Sequence, residues 1–307
     1  MNTTLSTPHE PTSTATPAGK RALVLGGGGS TGNAWLVGIV AGLFDAGLDV
    51  TQADLTIGTS AGSTAAAQFA DASPAELLTI TVDAVPPQRP PGSAPRRAPM
   101  TDGLTRLQQL IASSDSMSEL RRRVAAAALE ADAASDGSWS ARWRATVASR
   151  FRNHDWPERR ILITAIDART TEPVVFDRDS GVDLVDAVAA SCAGGGLPYR
   201  IGDRQYLDGG YRVNAENADL AAGYERVLVL SPFGGRTLHP LEWNTRLAVQ
   251  VGALRASGSR VEIVGPDAAS EHLFGSNAMD FSLRPAAARA GYEQGKGLAE
   301  RLTAFWS

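Results

Sequence analysis

Cysteine is almost absent: the 307-residue chain holds one, Cys192. No intrachain disulfide can form, and cysteine usage gives no sign of an oxidising compartment. Long apolar runs are missing too, since none approaches the roughly 20 residues that a membrane-spanning helix needs. Residues 1–20 are rich in Thr, Ser and Pro and lack a basic start followed by an apolar core. They therefore read as a disordered tail, not a secretory signal, ahead of a domain filling residues 21–307. There is no excess of positive charge. The formal net charge is −4 with 20% charged residues, which argues against a general nucleic-acid binder. These absences lead to the expectation of a cytoplasmic protein without a nucleic-acid partner; they say nothing of oligomeric state. Hydrophobic residues make up 43% of the chain, enough for a sizeable core.

What is present alternates. Arg21–Leu25 is a short apolar run that reads as a buried strand, followed by a glycine-rich loop at Gly26 to Gly29 and Gly32. Residues 34–46 then carry apolar side chains at helical spacing (Trp35, Leu36, Ile39, Val40, Leu43), with Gly47 as C-cap. A second strand over residues 54–57 leads through a tight turn into an Ala-rich helix over 63–70, and Ser73 with Pro74 opens another over 74–82. Strand-helix alternation implies a parallel sheet covered on both faces. It stops at residues 86–99, where six prolines in fourteen residues exclude any regular element, and residues 101–153 read as about three helices. Alternation resumes with strands at 160–166, 173–176 and 205–207, a helix at 184–192, a helical stretch at 218–222, strands at 227–230 and 261–264 around a helix over 241–256 started by Pro240, and a terminal helix over 285–305.

Three loops should meet at the C-terminal edge of such a sheet, where open α/β sheets place their sites. One is Gly58-Thr59-Ser60-Ala61-Gly62, a G-x-S-x-G sequence between a strand and a helix. That context predicts a nucleophile elbow: a strained turn holding the Ser60 hydroxyl above the sheet edge, with side chains excluded at Gly58 and Gly62. The second is the glycine loop. Gly27-x-Gly29-x-x-Gly32 also fits a dinucleotide fingerprint, but that needs an acidic residue at the end of the next strand, and the next strand ends in the serine turn. Backbone N–H groups forming an oxyanion hole make use of both loops. The third is Asp208-Gly209-Gly210, after a short strand. The four histidines, His9, His154, His239 and His272, lie in contexts that would not hold a catalytic imidazole, so Asp208 is the best-placed base.

These three motifs in this order, together with the segment from Ala187 to Pro198, resemble the patatin-like phospholipase family over residues 21 to about 230, and more loosely beyond. The resemblance implies a three-layer α/β/α fold with a mainly parallel sheet, here with a helical insertion, and a Ser60–Asp208 dyad that hydrolyses acyl esters of lipids. Asp208 would take the proton of Ser60, the amides of Gly27, Gly28 and Gly29, with Ala61, would bind the oxyanion, and Gly32, Gly62, Gly209 and Gly210 would support the motifs. No cofactor or metal is needed. Asp177, Asp179 and Asp183 are spaced like calcium ligands but lack the rest of an EF-hand and read as loop and cap residues. Acyl transfer or thioester hydrolysis by the same dyad, and a catalytically weak lipid-binding relative, are the alternatives. The chain departs from the family at Thr31, where Arg or Lys is usual.

Residues 84–160 hold 13 arginines against eight acidic residues, a formal +5, leaving −9 for the remainder of a chain whose total is −4. Within this segment Trp139, Trp143, Val147 and Phe151 recur every four residues as one apolar stripe. Two readings stand: a helix packed on the core, or, with the proline-rich entry, a lid over residues 84–153 that touches lipid and brings peripheral membrane contact.

Overall fold

The structure is a computed structural model that describes residues 19–84 and 100–307. The proposed tail, up to residue 18, and the proline-rich stretch over 86–99 lie outside the described residues. Strands β1 (Arg21–Leu25), β2 (Leu55–Gly58), β3 (Arg160–Asp167), β7 (Arg226–Leu230) and β8 (Arg260–Val264) form a parallel run ordered β3-β2-β1-β7-β8. On β3 the pattern turns antiparallel, with β4 (Pro173–Phe176) and with β6 (Arg204–Asp208), which pairs in turn with β5 (Tyr199–Ile201). Period-two alternation assigns the faces of the sheet. Leu23 and Leu25 of β1 pack toward α1 (Gly29–Asp45), α7 (Leu184–Ser191) and α9 (Arg284–Trp306), while Ala22 and Val24 pack toward α8 (Leu247–Ala256). The result is the three-layer α/β/α architecture.

Register explains how the second half of the sheet serves the first. Ile163 pairs with both Gly58 of β2 and Phe176 of β4, so these strands flank β3 on opposite edges. Ala165 pairs with both Val174 of β4 and Asp208 of β6, so β6 lies on the same edge as β2. β2 runs up that edge and ends at Gly58; β6 runs down it and ends at Asp208. The two strand ends face each other across Thr164.

Helices α1 and α9 are the most closely packed pair. Small residues let the backbones touch: a Cβ on Gly42 would fall 2.1 Å from the Tyr292 carbonyl, and one on Gly295 2.4 Å from the Ile39 carbonyl. This contact fixes where α9 begins, at Arg284, beside the first turn of α1.

Three local expectations are corrected. α1 begins at Gly29, not near residue 34, because glycine contributes no periodic signal and is a poor helix former, yet the turn is held by the Thr31 N–H on the Ala278 carbonyl. Pro240 opens only a short 3₁₀ turn, Leu241–Trp243. Asn244 then takes a left-handed conformation (φ 53°), so α8 starts at Leu247. Strand β5 has no counterpart in the sequence reading; it is three residues long and paired on a single side.

The insertion straddles the sheet. α5 (Met117–Ala133) buries Leu120 and Val124 against Ile166 and Leu207. α6 (Trp139–Ala148) packs on α7 from the other face: Val147 and Phe151 lie in the main core, Trp139 and Trp143 stack at 5.9 Å, and Trp143 Nε1 donates to the Ala189 carbonyl at 3.0 Å. The aromatic stripe is thus packed on the core. Trp143→Ala is expected to lower stability by about 3 kcal/mol, the low end for large aromatic truncations because part of the ring is exposed. Chemical denaturation measures this, and a ΔΔG under about 1 kcal/mol would contradict the packing role.

Candidate active site

The elbow forms because two glycines permit a close fit that no side chain could share. A Cβ on Gly62 would sit 1.9 Å from the Leu25 carbonyl of β1, and one on Gly58 2.6 Å from Ser63 Cα at the start of α2 (Ala61–Asp71). The Thr59 N–H donates to the Leu25 carbonyl at 3.1 Å and ties the turn to the end of β1. Between the glycines Ser60 is forced to φ 52°, ψ −114°, a strained conformation for a residue with a Cβ. Ser60 stands at the N-terminal end of α2, the positive end of that helix, and its side chain makes no capping hydrogen bond there.

Across Thr164 the Ser60 hydroxyl donates to Asp208 Oδ2 at 2.8 Å. The other carboxylate oxygen accepts the Gly210 N–H at 2.8 Å, and the Asp208 N–H donates to the Ala193 carbonyl at 3.3 Å. Gly209 is buried against β3, where a Cβ would meet the Thr164 hydroxyl at 2.1 Å. Burial pushes the Asp208 carboxyl up to about 6, with the Gly210 N–H and the Ser60 hydroxyl pulling it partly back. Tyr211, also on the cleft wall, has its phenol pushed up by burial and by the Asp208 charge and stays neutral. A serine hydroxyl bonded to a carboxylate of raised basicity is an arrangement for nucleophilic attack with general-base help.

The glycine loop lies over the same space. Gly27 is packed close to Ser60, since a Cβ there would be 3.5 Å from Ser60 Cβ. Its N–H, however, donates to the Ala215 carbonyl at 2.8 Å. Among the described residues no acceptor takes the N–H groups of Gly28, Gly29 or Ala61, and all three residues line the cleft. Gly32 lies inside α1, its N–H on the Gly28 carbonyl at 3.1 Å and its Cα face pressed on Pro232.

Several contributors carry little sequence signal. The Ser191 hydroxyl accepts the Ser60 N–H at 2.9 Å, and the Cys192 thiol donates to the Ser60 carbonyl at 3.1 Å. Both lie in the segment 187–198, which marks the stretch but not the roles. Asn217 is fully buried and left-handed (φ 54°). Its Nδ2 donates to Thr59 Oγ1 and to the Gly209 carbonyl, both at 3.0 Å, bracing the elbow against the aspartate loop. The sequence reading gave Asn217 no role.

The histidines are engaged elsewhere. His154 contacts the Ala148 carbonyl, His239 the Thr245 hydroxyl, and His272 the Ala269 carbonyl; His9 lies outside the described residues. Among the described residues no group of three His, Cys, Asp or Glu side chains is placed to hold a metal. Asp177 accepts from Ser180 and the Asp179 N–H, and Asp183 stands at the N-cap position of α7 without a side-chain capping bond and pairs with Arg144.

Ser60 and Asp208 open on a cleft of about 2810 Å³, several times the size typical of a small-ligand pocket. Much of its lining is apolar. Leu104, Leu107 and Ile111 of α4 (Met100–Ala112) and Val124 of α5 form one wall. Ile80, Leu238, Met279 and Phe281 are large apolar side chains that are exposed and line the cleft. No helix among the described residues is long and apolar enough to cross a membrane.

A family model described as patatin-like phospholipase matches residues 23–221. No curated protein matches the sequence. The crystal structure of VipD from Legionella pneumophila is similar over 93% of this chain and 67% of that one, at 12% identity and a TM-score of 0.42.

Proposed function

We propose, on the premise that the chain belongs to the patatin-like phospholipase family, that it is a lipid acyl hydrolase working through a Ser60–Asp208 dyad and an acyl-enzyme. The observation that carries this reading is the 2.8 Å bond from the Ser60 hydroxyl to Asp208 within a strained elbow that opens on a largely apolar cleft. Asp208 removes the hydroxyl proton as Ser60 Oγ attacks the ester carbonyl. The oxyanion is held by the N–H groups of Gly28 and Gly29 with that of Ala61; the Gly27 N–H is already committed to Ala215, so this residue lends close packing instead of a donor. Each such donor is typically worth ~10²–10³ in rate. Collapse expels the alcohol, which takes the proton from Asp208, and a water activated by the same carboxylate then releases the fatty acid.

The acyl chain would lie along the apolar wall of α4 and α5, and the exposed apolar rim would meet lipid at the surface of a membrane or micelle. The direct test is labelling with a fluorophosphonate probe followed by peptide mapping. Modification at Ser60, prevented by Ser60→Ala, is expected; labelling elsewhere, or none, would refute the nucleophile assignment.

A further inference from the structure

The bonds made by the Asn217 amide end on the chain neighbours of both Ser60 and Asp208. Its Nδ2 donates to Oγ1 of Thr59, the residue before Ser60, and to the carbonyl of Gly209, the residue after Asp208. A third acceptor, Thr164 Oγ1, lies at 3.4 Å, and the Thr59 and Thr164 hydroxyls are 3.0 Å apart. Thr164 belongs to β3, the strand across which the ends of β2 and β6 face each other. Thr59, Thr164 and Asn217 are all fully buried. One amide therefore ties the turn that carries the serine to the turn that carries the carboxylate, with β3 between them.

The amide fits only one way round. A carbonyl can only accept and a guanidinium can only donate. Arg212 Nη1 lies 3.3 Å from Asn217 Oδ1, so the oxygen faces Arg212 and the nitrogen faces Gly209. The reverse would set carbonyl against carbonyl and amide N–H against guanidinium. Arg212 is fixed in turn. Asp219 accepts from its two terminal nitrogens at 2.8 and 2.7 Å, and Gln250 of α8 donates to the same carboxylate at 2.7 Å. The backbone agrees. Asn217 has φ 54°, a left-handed conformation that asparagine tolerates better than most side chains. It stands at the N-cap position of the 3₁₀ turn Ala218–Ala221 but makes no capping bond there. The local use of such a side chain is given up for a long-range bridge. The grip is two-sided: Ser191, Cys192 and Ala193 hold Ser60 and Asp208 at the end of α7, while Asn217 holds their neighbours beside Ala218, which packs with α8.

We propose that Asn217 is a positioning residue for the dyad: by fixing Thr59 against Gly209 it holds the Ser60 hydroxyl at bonding distance from Asp208. Its kinetic consequence rests on the hydrolase reading; the geometric one does not. Misplacement of a reacting group by a fraction of its bonding distance is costly, since a shift of about 1 Å can lower a rate by about 10²-fold. The competing account is that the amide only satisfies buried acceptors and supports the fold.

The experiment follows the Asp208 carboxyl directly, by NMR titration of its carboxyl carbon in the full chain, with hydrolysis of p-nitrophenyl butyrate measured beside it. Burial raises this carboxyl to about 6, and the Ser60 hydroxyl is one of two donors that pull it back. Cys192 at the end of α7 and Tyr211 face it as neutral groups; the Arg150 charge acts on Cys192, and Arg212 is committed to Asp219. Asn217→Gly keeps the left-handed backbone and deletes the amide. The Ser60 hydroxyl should then drift from Asp208, and the titration midpoint should rise. Ser60→Ala should raise it as well, and adding Asn217→Gly to Ser60→Ala should change it little, because the bond is already gone. For Asn217→Gly, kcat is expected to fall about 10- to 100-fold with KM within about twofold of wild type. Thr59→Val serves if the glycine variant does not fold. It removes the acceptor on the elbow at nearly unchanged shape and should lower kcat about tenfold, whereas Thr59→Ser, which keeps the hydroxyl, should stay within about threefold of wild type. Leu254→Ala, buried on α8, is the control: it should lower the melting temperature and leave midpoint and kcat in place. Asn217→Gly behaving like that control, or shifting the midpoint equally with and without the Ser60 hydroxyl, overturns the proposal. A wild type that hydrolyses no ester while the titrations behave as stated would uphold the positioning role and refute the hydrolase reading.

Discussion

Ser60→Ala is expected to lower hydrolysis of p-nitrophenyl esters by at least about 10³-fold, because on the proposed mechanism it removes the atom that forms the acyl-enzyme and leaves only binding and oxyanion stabilisation. Stability should hardly change. Alanine keeps the Cβ at φ 52° and so keeps the strain, while Asp208 Oδ2 loses one hydrogen-bond donor. Ser60→Gly provides an internal control. It deletes the same hydroxyl but also relieves the left-handed strain, so it should be as inactive as Ser60→Ala and melt higher, by a stability gain of about 1 kcal/mol. The pair of variants separates chemistry from backbone: equal activity with different melting temperatures is the expected result. Activity of Ser60→Ala within a few-fold of wild type would sink the nucleophile assignment, and a lower melting temperature for Ser60→Gly would sink the strain argument.

The layered architecture was legible because it rests on local patterns. Short apolar runs mark β1, β2, β3, β7 and β8, and their alternation with helices dictates parallel order. The Gly58 and Gly62 positions were legible for the same reason, since a strand, a turn and a helix within eight residues leave no room for side chains at either end. What sequence could not supply is the edge shared by β2 and β6. Ser60 and Asp208 lie 148 residues apart, and their meeting depends on register along β3, which no local signal carries. The Gly27 amide illustrates the same limit: a glycine run announces free N–H groups, but the Ala215 carbonyl that consumes one of them arrives from a distant irregular loop.

Asp208→Asn is expected to be as inactive as Ser60→Ala, and the double variant no worse than either, since members of one catalytic unit are not additive. Asparagine can still accept the Gly210 N–H, but it cannot take the hydroxyl proton from Ser60. The pH dependence follows from the same carboxyl. Its folded value of about 6 lies above the ordinary 3.8 because burial disfavours the charge. The proposed base would work only when ionised, so wild-type kcat/KM should rise as pH increases through about 6 and level off near neutrality. Among the described residues no charged side chain bonds to Asp208: its carboxyl faces the Ser60 hydroxyl and the Gly210 N–H, with the neutral Cys192 and Tyr211 nearby. The stability consequence has the opposite sign. A folded-state value above the unfolded one contributes stability that is fully present below about 3.8 and is lost as pH rises through about 6. Above pH 6 the native state holds a desolvated carboxylate, and Asp208→Asn removes it. The inactive variant should therefore melt no lower than wild type at pH 7.5, and any advantage should shrink as pH falls toward 4. Thermal melts of both proteins at pH 4.5, 6 and 7.5, with pH–rate profiles of the wild type, test the pair of claims together. A flat wild-type profile between pH 5 and 7.5 would remove Asp208 from the role of base. Loss of activity on replacing His239 by alanine, with Asp208→Asn still active, would transfer that role to an imidazole on the cleft wall.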